Sequence, residues 1–235
     1  MSIRKIKIYV AFISKYYQKQ TNINSSYKLM DFLIQTFHPP FGHCSLAFEI
    51  KGVVSRHISS AVRNNSLSSD NVLLCTSVSQ KSGFVHGLFR FENQGYCWSQ
   101  LEADETLVEE CLKMIEYMVA RGLCNFSAVD MYGVYCLSDL ERPTRERNNW
   151  FCSQLTGFLL QKMGLLDQQI NCSRLSASDL FLLIRENQSY KSIPCPLKTT
   201  TRKLHLENKI TDADNIFKLT MNMENIPLLN KDLYI

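Results

Sequence analysis

The chain has 235 residues, 45% hydrophobic and 20% charged, a globular composition with room for one sizeable core and an appended tail. Its net charge of +4 is small and scattered, which does not point to nucleic acid. No apolar stretch approaches the ~20 residues that span a bilayer, so no integral membrane segment is expected.

Near the N-terminus, Arg4, Lys5 and Lys7 precede an apolar run that ends at Ser14 and Lys15, too short for a signal peptide. Nine cysteines (44, 75, 97, 111, 124, 136, 152, 172 and 195) form an odd set without a Cys-x-x-Cys pair. Several stand inside apolar runs, as Cys75 does after Val72-Leu73-Leu74. That usage suits reduced, buried thiols and predicts a cytoplasmic location. His38 and His43 are close in sequence, but no paired thiolates stand beside them to complete a zinc tetrahedron. Neither a metal nor another cofactor is expected.

Lys5 to Ile13 begins as an alternating run and ends as a solid apolar one, which reads as a strand. Ser25 or Ser26 can cap a helix from Tyr27 to Phe37, ended by Pro39-Pro40. Gly42–Ile50, a Lys51-Gly52 turn and Val53–Ile58 read as a hairpin. Asn64 to Asp70 is a polar loop. Two strands follow, Asn71–Val78 and Phe84–Phe91, with Ser82-Gly83 between them. Asp104 can cap a helix to Arg121 that carries Leu107, Cys111, Met114, Ile115 and Met118 on one stripe, with Gly122 as its stop. A connecting segment runs from Asp130 to Asn149.

Asn148-Asn149-Trp150-Phe151-Cys152-Ser153-Gln154-Leu155 then places a cysteine in the first turn of a helix, with Asn148 or Asn149 as cap and Gly164 as stop. A thiol at that end lies over the positive end of the helix dipole, which favours the thiolate. The commoner fate of a free cysteine is a small buried hydrophobe. Ser176 or Ser178 can cap a last helix through Leu180–Ile184. Beyond Asn187 the composition shifts to Lys, Thr, Asn and Ser, and 188–235 reads as a peripheral C-terminal extension. The order of elements predicts an α+β fold with a central antiparallel sheet and flanking helices.

A thiol nucleophile needs an imidazole, and the imidazole needs a group to orient it. His205 lies in the polar tail and His38 abuts two prolines. His86 sits in the strand Gly83-Phe84-Val85-His86-Gly87. His43 opens the apolar strand Gly42–Ile50, and His57 lies on its expected hairpin partner. A plain turn at Lys51-Gly52 sets His57 opposite Leu46, facing away from His43. A one-residue bulge there would set it opposite Ser45 and within reach.

Gly42-His43-Cys44-Ser45-Leu46-Ala47-Phe48 resembles the Gly/Thr-His-Val-Ser-Ile strand of the circularly permuted NlpC/P60, papain-like thiol hydrolases. Phe151-Cys152-Ser153-Gln154-Leu155 is similar to their Phe-Cys-Ser-Glu-Leu helix start, and histidine before cysteine is the permuted order. Gly83-Phe84-Val85, Asp130-Met131-Tyr132-Gly133 and Ser176-Ala177-Ser178-Asp179-Leu180 resemble further elements of that group. Gln154 stands in place of the usual acid, and Val129 in place of an upstream tyrosine. Gln94-Gly95-Tyr96-Cys97-Trp98 is faintly similar to the cysteine region of unpermuted papain enzymes, but no helix begins at Cys97.

The resemblance implies a permuted papain-like catalytic domain over 1–187, with Cys152 as nucleophile, His43 as base and His57 as third polar residue. It implies a cysteine-dependent hydrolase of amide, peptide, isopeptide or ester bonds acting on a peptide, protein or acyl substrate. Two other readings share the scaffold. One is a catalytically silent binding module, suggested by Gln154 and Val129. The other is an acyltransferase of the lecithin–retinol acyltransferase kind, whose Asn-Cys-Glu motif this sequence lacks.

Overall fold

The structure, a computed structural model, describes residues 4–14, 40–58, 72–79, 83–89, 96–123, 125–126, 149–194 and 196. In chain order its elements are β1 (Lys5–Ser14), β2 (Phe41–Glu49), a 3₁₀ helix (Gly52–His57), β3 (Leu73–Ser79), β4 (Gly83–Phe89), β5 (Tyr96–Asp104) and α1 (Glu105–Ala120). There follow β6 (Asn125–Phe126), β7 (Asn149–Trp150), α2 (Cys152–Lys162), a 3₁₀ turn (Cys172–Arg174), α3 (Ala177–Arg185) and β8 (Lys191–Ile193). Six strands form one antiparallel sheet in the order β4-β3-β2-β1-β5-β8, and β6 and β7 pair separately in parallel. This is the expected α+β arrangement around an antiparallel sheet. The expected helix over 27–37, the polar loop at 64–70, the 130–133 element, His38 and His205 lie outside the described residues.

The two-residue period of a strand sorts the core. Ile8, Val10 and Phe12 of β1 pack with Cys44, Leu46 and Phe48 of β2 and with the three helices, while Tyr9, Ala11, Ala47, Cys75 and Trp98 pack on the opposite face. The register of β1 on β2 slips once: Ile13 pairs with His43 but Ser14 pairs with Phe41, leaving Gly42 as a bulge. An uninterrupted strand would send Phe41 and Cys44 to opposite faces. With the bulge, both are fully buried in the same helix-side core.

The hairpin expected after β2 does not form. Val53 and Val54 are adjacent and both buried, which a strand with one solvated face does not allow. The chain instead closes a tight turn, with Val54 N–H donating to Lys51 C=O at 3.2 Å and Ser55 Oγ donating to Gly52 C=O at 2.8 Å. The place beside β2 goes to β3. The unanticipated β5 pairs with β1 from Lys5↔Asp104 to Ile13↔Tyr96. Its helix-side row, Cys97-Ser99-Leu101-Ala103, is mostly small, so the sequence shows no clean alternation. Within 188–235, Lys191–Ile193 forms the edge strand of the sheet, beside β5.

Two helix stops hold as read, at Gly122 (φ 64°) and Gly164 (φ 69°). Both have the left-handed conformation in which glycine carries no Cβ penalty. Asp104 precedes α1 but makes no capping bond, and its carboxylate pairs with Lys5 Nζ at 2.6 Å. Ser176 does cap α3: its Oγ accepts from Asp179 N–H at 3.1 Å, and Asp179 Oδ2 accepts from Ser176 N–H at 2.9 Å, the reciprocal pair of a capping box. One residue into α3, Ser178 Oγ accepts from Phe41 N–H at 3.1 Å.

Phe41 also meets Phe12 and Phe181 at centroid distances of 5.1 and 5.0 Å, and Phe12 meets Phe181 at 5.3 Å. This trio joins β1, β2 and α3 directly beneath the Gly42 bulge. Truncating a buried phenylalanine costs about 3–5 kcal/mol. Urea denaturation should therefore show Phe41→Ala and Phe181→Ala lowering stability by that order. Tyr117→Ala, at a side chain 56% exposed, should change it little.

Candidate active site

The approach to α2 is extended. Asn149-Trp150 pairs with Asn125-Phe126, and Phe151 (φ −124°, ψ 169°) is the residue from which the helix starts. The expected asparagine cap is overturned: Phe151 holds the N-cap position and no side chain caps the helix. Apolar anchoring replaces it. Phe151 is fully buried, and Trp150 Nε1 donates to Leu123 C=O at 3.2 Å. Ser153 Oγ donates to Leu175 C=O at 2.6 Å and fastens the first turn from the other side. Cys152 is thereby the first helical residue, with the open N–H groups of that turn around it.

Strand β2 runs against this helix start. The Cys152 sulfur lies within electrostatic reach of the His43 ring and of the thiol and backbone of Cys44. Cys44 Sγ also lies 3.7 Å from Oγ1 of Thr156, one helical turn beyond Cys152. The far side of the imidazole meets two hydroxyls: Nε2 lies 3.3 Å from Ser45 Oγ and 3.2 Å from Ser77 Oγ. Ser45 Oγ itself donates to Ser77 Oγ at 2.9 Å. Cys152 and His43, expected together from sequence, are in contact.

The charges follow from these contacts. The hydrogen bond from Cys44 is the largest influence holding the Cys152 thiol well below its ordinary range. Burial opposes it, and the charge and hydrogen bond of His43 reinforce it. A helix N-terminus alone is worth about 0.3–1 kcal/mol, less than one tenfold change in ionisation at ~1.4 kcal/mol. Hydrogen bonds to a charged group, at about 1.5–3 kcal/mol each, are the larger effect. For His43, burial pushes the ring down, but the charge of Cys152 and its hydrogen bond outweigh that and raise it. A lowered thiol beside a raised imidazole is the signature of a thiolate–imidazolium pair.

The other described thiols behave oppositely. Burial pushes Cys75, Cys111 and Cys172 up to about 12. Cys44 is raised well above its ordinary value, first by burial and then by its contact with Cys152. All six described cysteines are buried thiols, none of them in a disulfide. Cys97, in the stretch that is faintly papain-like, is a core residue of β5 and starts no helix.

His57 is placed elsewhere. It sits on the 3₁₀ helix with Nδ1 3.2 Å from Glu116 Oε1 of α1. It lines a cavity of about 230 Å³ with Leu74, His86 and Glu116. Leu74 pairs with Phe48, five residues along β2 from His43, or roughly 16 Å at the rise of a strand. The groups on the His43 ring are therefore Ser45 and Ser77. Ser45 follows His43 by two positions and shares its strand face, a signal present in the sequence. Ser77 is legible only once β3 is known to lie beside β2. His86 is engaged by Thr76 Oγ1 at 2.8 Å, and burial lowers its pKa.

Gln154 is buried at 3% exposure, and its Oε1 has no partner among the described residues. Among the described residues, no group of three or more His, Cys, Asp or Glu side chains is arranged to hold a metal ion. No helix there is long and apolar enough to cross a membrane. Comparison with protein-family models, curated proteins and solved structures finds no match.

A lowered pKa keeps the anion present as pH falls, so the order of titration is testable. A thiol at about 12 is ionised to only about one part in 10⁵ at pH 7. Iodoacetamide at pH 6–7, followed by peptide mapping, should modify Cys152 far ahead of Cys75, Cys111 and Cys172. His43→Ala should move the Cys152 rate profile to higher pH.

Proposed function

We propose that this chain is a cysteine-dependent hydrolase of amide bonds, peptide or isopeptide, or of esters, on a permuted papain-like scaffold. The observation that carries this reading is the contact of the Cys152 sulfur, at the first position of α2, with the His43 ring at the start of β2. Cys152 as thiolate attacks the substrate carbonyl carbon, and the carbonyl oxygen takes the negative charge. The Cys152 backbone N–H, open at the helix start, is placed to donate to that oxygen.

The protonated His43 then gives its proton to the leaving amine or alkoxide, and a thioester remains on Cys152. A water molecule, deprotonated by His43, attacks the thioester and releases the acid, restoring the thiolate–imidazolium pair. With Nε2 held by Ser45 and Ser77, Nδ1 is the nitrogen left to face the sulfur. Neutral hydroxyls orient the ring without the charge a carboxylate would add, so Cys152 itself is the main stabiliser of the imidazolium. The cytoplasm, where free thiols stay reduced, belongs to the same proposal.

A thiol-directed acyl probe tests this in the folded protein. Labelling should vanish in Cys152→Ala and fall by about 10²–10⁴ in rate in His43→Ala. Ser45→Ala and Ser77→Ala should cost less than His43→Ala, and His57→Ala least of the four. Once a hydrolysed substrate is found in an amide and ester library, kcat/KM should follow the same order. Undiminished labelling in Cys152→Ala would refute the assignment. A folded wild-type chain inert to every probe would favour the silent binding module.

A further inference from the structure

In the strand that resembles this one, the residue after the histidine is valine. Here it is Cys44, and its side chain turns into the helix-side core. Cys44 is fully buried, and Cys152 is 7% exposed. The Gly42 bulge fixes the strand so that Cys44 faces the first turn of α2, where its sulfur lies between Cys152 and Thr156. An S–H has one hydrogen. When it goes to the Cys152 thiolate, the Thr156 hydroxyl remains to donate to the Cys44 sulfur. A core packed for shape alone would be served as well by the valine, which brings no sulfur to the nucleophile.

We propose that Cys44 is the resolving thiol of Cys152, making the pair a peroxide-sensitive modification site that a disulfide closes reversibly. The thiolate sulfur of Cys152 attacks one oxygen of a hydroperoxide; the O–O bond breaks, the sulfur is oxidised to sulfenic acid, and hydroxide or alkoxide leaves. The Cys44 sulfur then attacks the sulfenic sulfur. A sulfur–sulfur bond forms, the S–OH bond breaks, and the Cys44 proton leaves with that hydroxyl as water.

Two features favour this second step. The attacking sulfur lies 3.7 Å from Oγ1 of Thr156, one helical turn from Cys152, so it stands beside the turn that carries its target. Cys44 is also poorly ionised by itself, so peroxide acts first on Cys152 and not on its neighbour. The disulfide occupies the sulfur that would attack a substrate, and it stops oxidation short of the irreversible sulfinic acid. This inference draws on the reading of Cys152 as a reactive thiolate, but it does not require that any amide be hydrolysed.

The test is treatment of the full chain with hydrogen peroxide, alkylation of remaining thiols, and peptide mapping without reduction. The expected product is a Cys44–Cys152 crosslink, seen as the loss of two hydrogens in intact mass. Acyl-probe labelling should be lost with it and restored by dithiothreitol. In Cys44→Ser, compared with its own untreated sample, Cys152 should pass on to the sulfinic and sulfonic acids, and dithiothreitol should restore no labelling to that fraction. If that variant does not fold, the wild-type map alone decides. A wild-type map with Cys152 oxygenated while Cys44 remains alkylatable, or with Cys152 joined to another cysteine, overturns the proposal. The crosslink is read by mass, so a crosslinked chain that never reacts with an acyl probe would sink the hydrolase reading and leave this one standing. Normal labelling without a crosslink would do the reverse.

Discussion

The seating of β2 against the start of α2 is the constraint on which the other features depend. It is set by a single residue out of register. Gly42 lets the backbone bend so that Phe41 and Cys44 enter the same core, and His43 is left at the bend beside the helix start. Phe41 is then fixed twice, by Ser178 through its backbone and by Phe12 and Phe181 through its ring. The capping box of α3 holds Ser178 in place for that bond. A hydrogen-bonded helix start in one part of the chain thus determines where an imidazole lies in another, 133 positions from Ser176 to His43.

The same core treats its thiols in two ways, and the difference is hydrogen bonding. Burial alone raises Cys75, Cys111 and Cys172, because a thiolate in an apolar setting loses its hydration. Cys152 is buried too, yet donors surround it: a thiol, a ring N–H and a backbone N–H. Each replaces part of the lost hydration with a fixed partner. The helix end adds a smaller contribution of the same sign. The lowered pKa of Cys152 is therefore set by its neighbours on β2 more than by the helix that carries the sulfur.

Legibility in the sequence followed the strength of local patterns. β1, β3, β4, both glycine stops and the Ser176 cap were readable, because each rests on alternation or on a residue with special backbone freedom. The nearness of Cys152 to His43 follows from a cysteine at a helix start and a histidine that opens an apolar strand. Lys51-Gly52 is good hairpin chemistry, so 52–57 reads as a strand, while the burial of both Val53 and Val54 is decided by α1, far along the chain. That reading carried His57 with it. The bulge expected at Lys51-Gly52 is absent with its hairpin, and a different one, in the β1–β2 register, lies at Gly42 ahead of the histidine. β5 was missed because its inner row is small and partly polar, and Asn149 was misplaced because a buried aromatic, Phe151, starts the helix without a capping side chain.

Helix α2 is enclosed on nearly every side, with residues 152–157 and 159–161 all buried. A surface helix can fray at its ends with little consequence for the rest of a domain. This one cannot loosen its first turn without exposing the core that holds it. Its hydrogen-bonded amide protons, from Leu155 on, should consequently exchange with solvent through opening of the whole domain and at the slowest rate the domain allows. The geometry around the sulfur and the stability of the fold are then one quantity, and a substitution anywhere in the core that weakens the second also loosens the first.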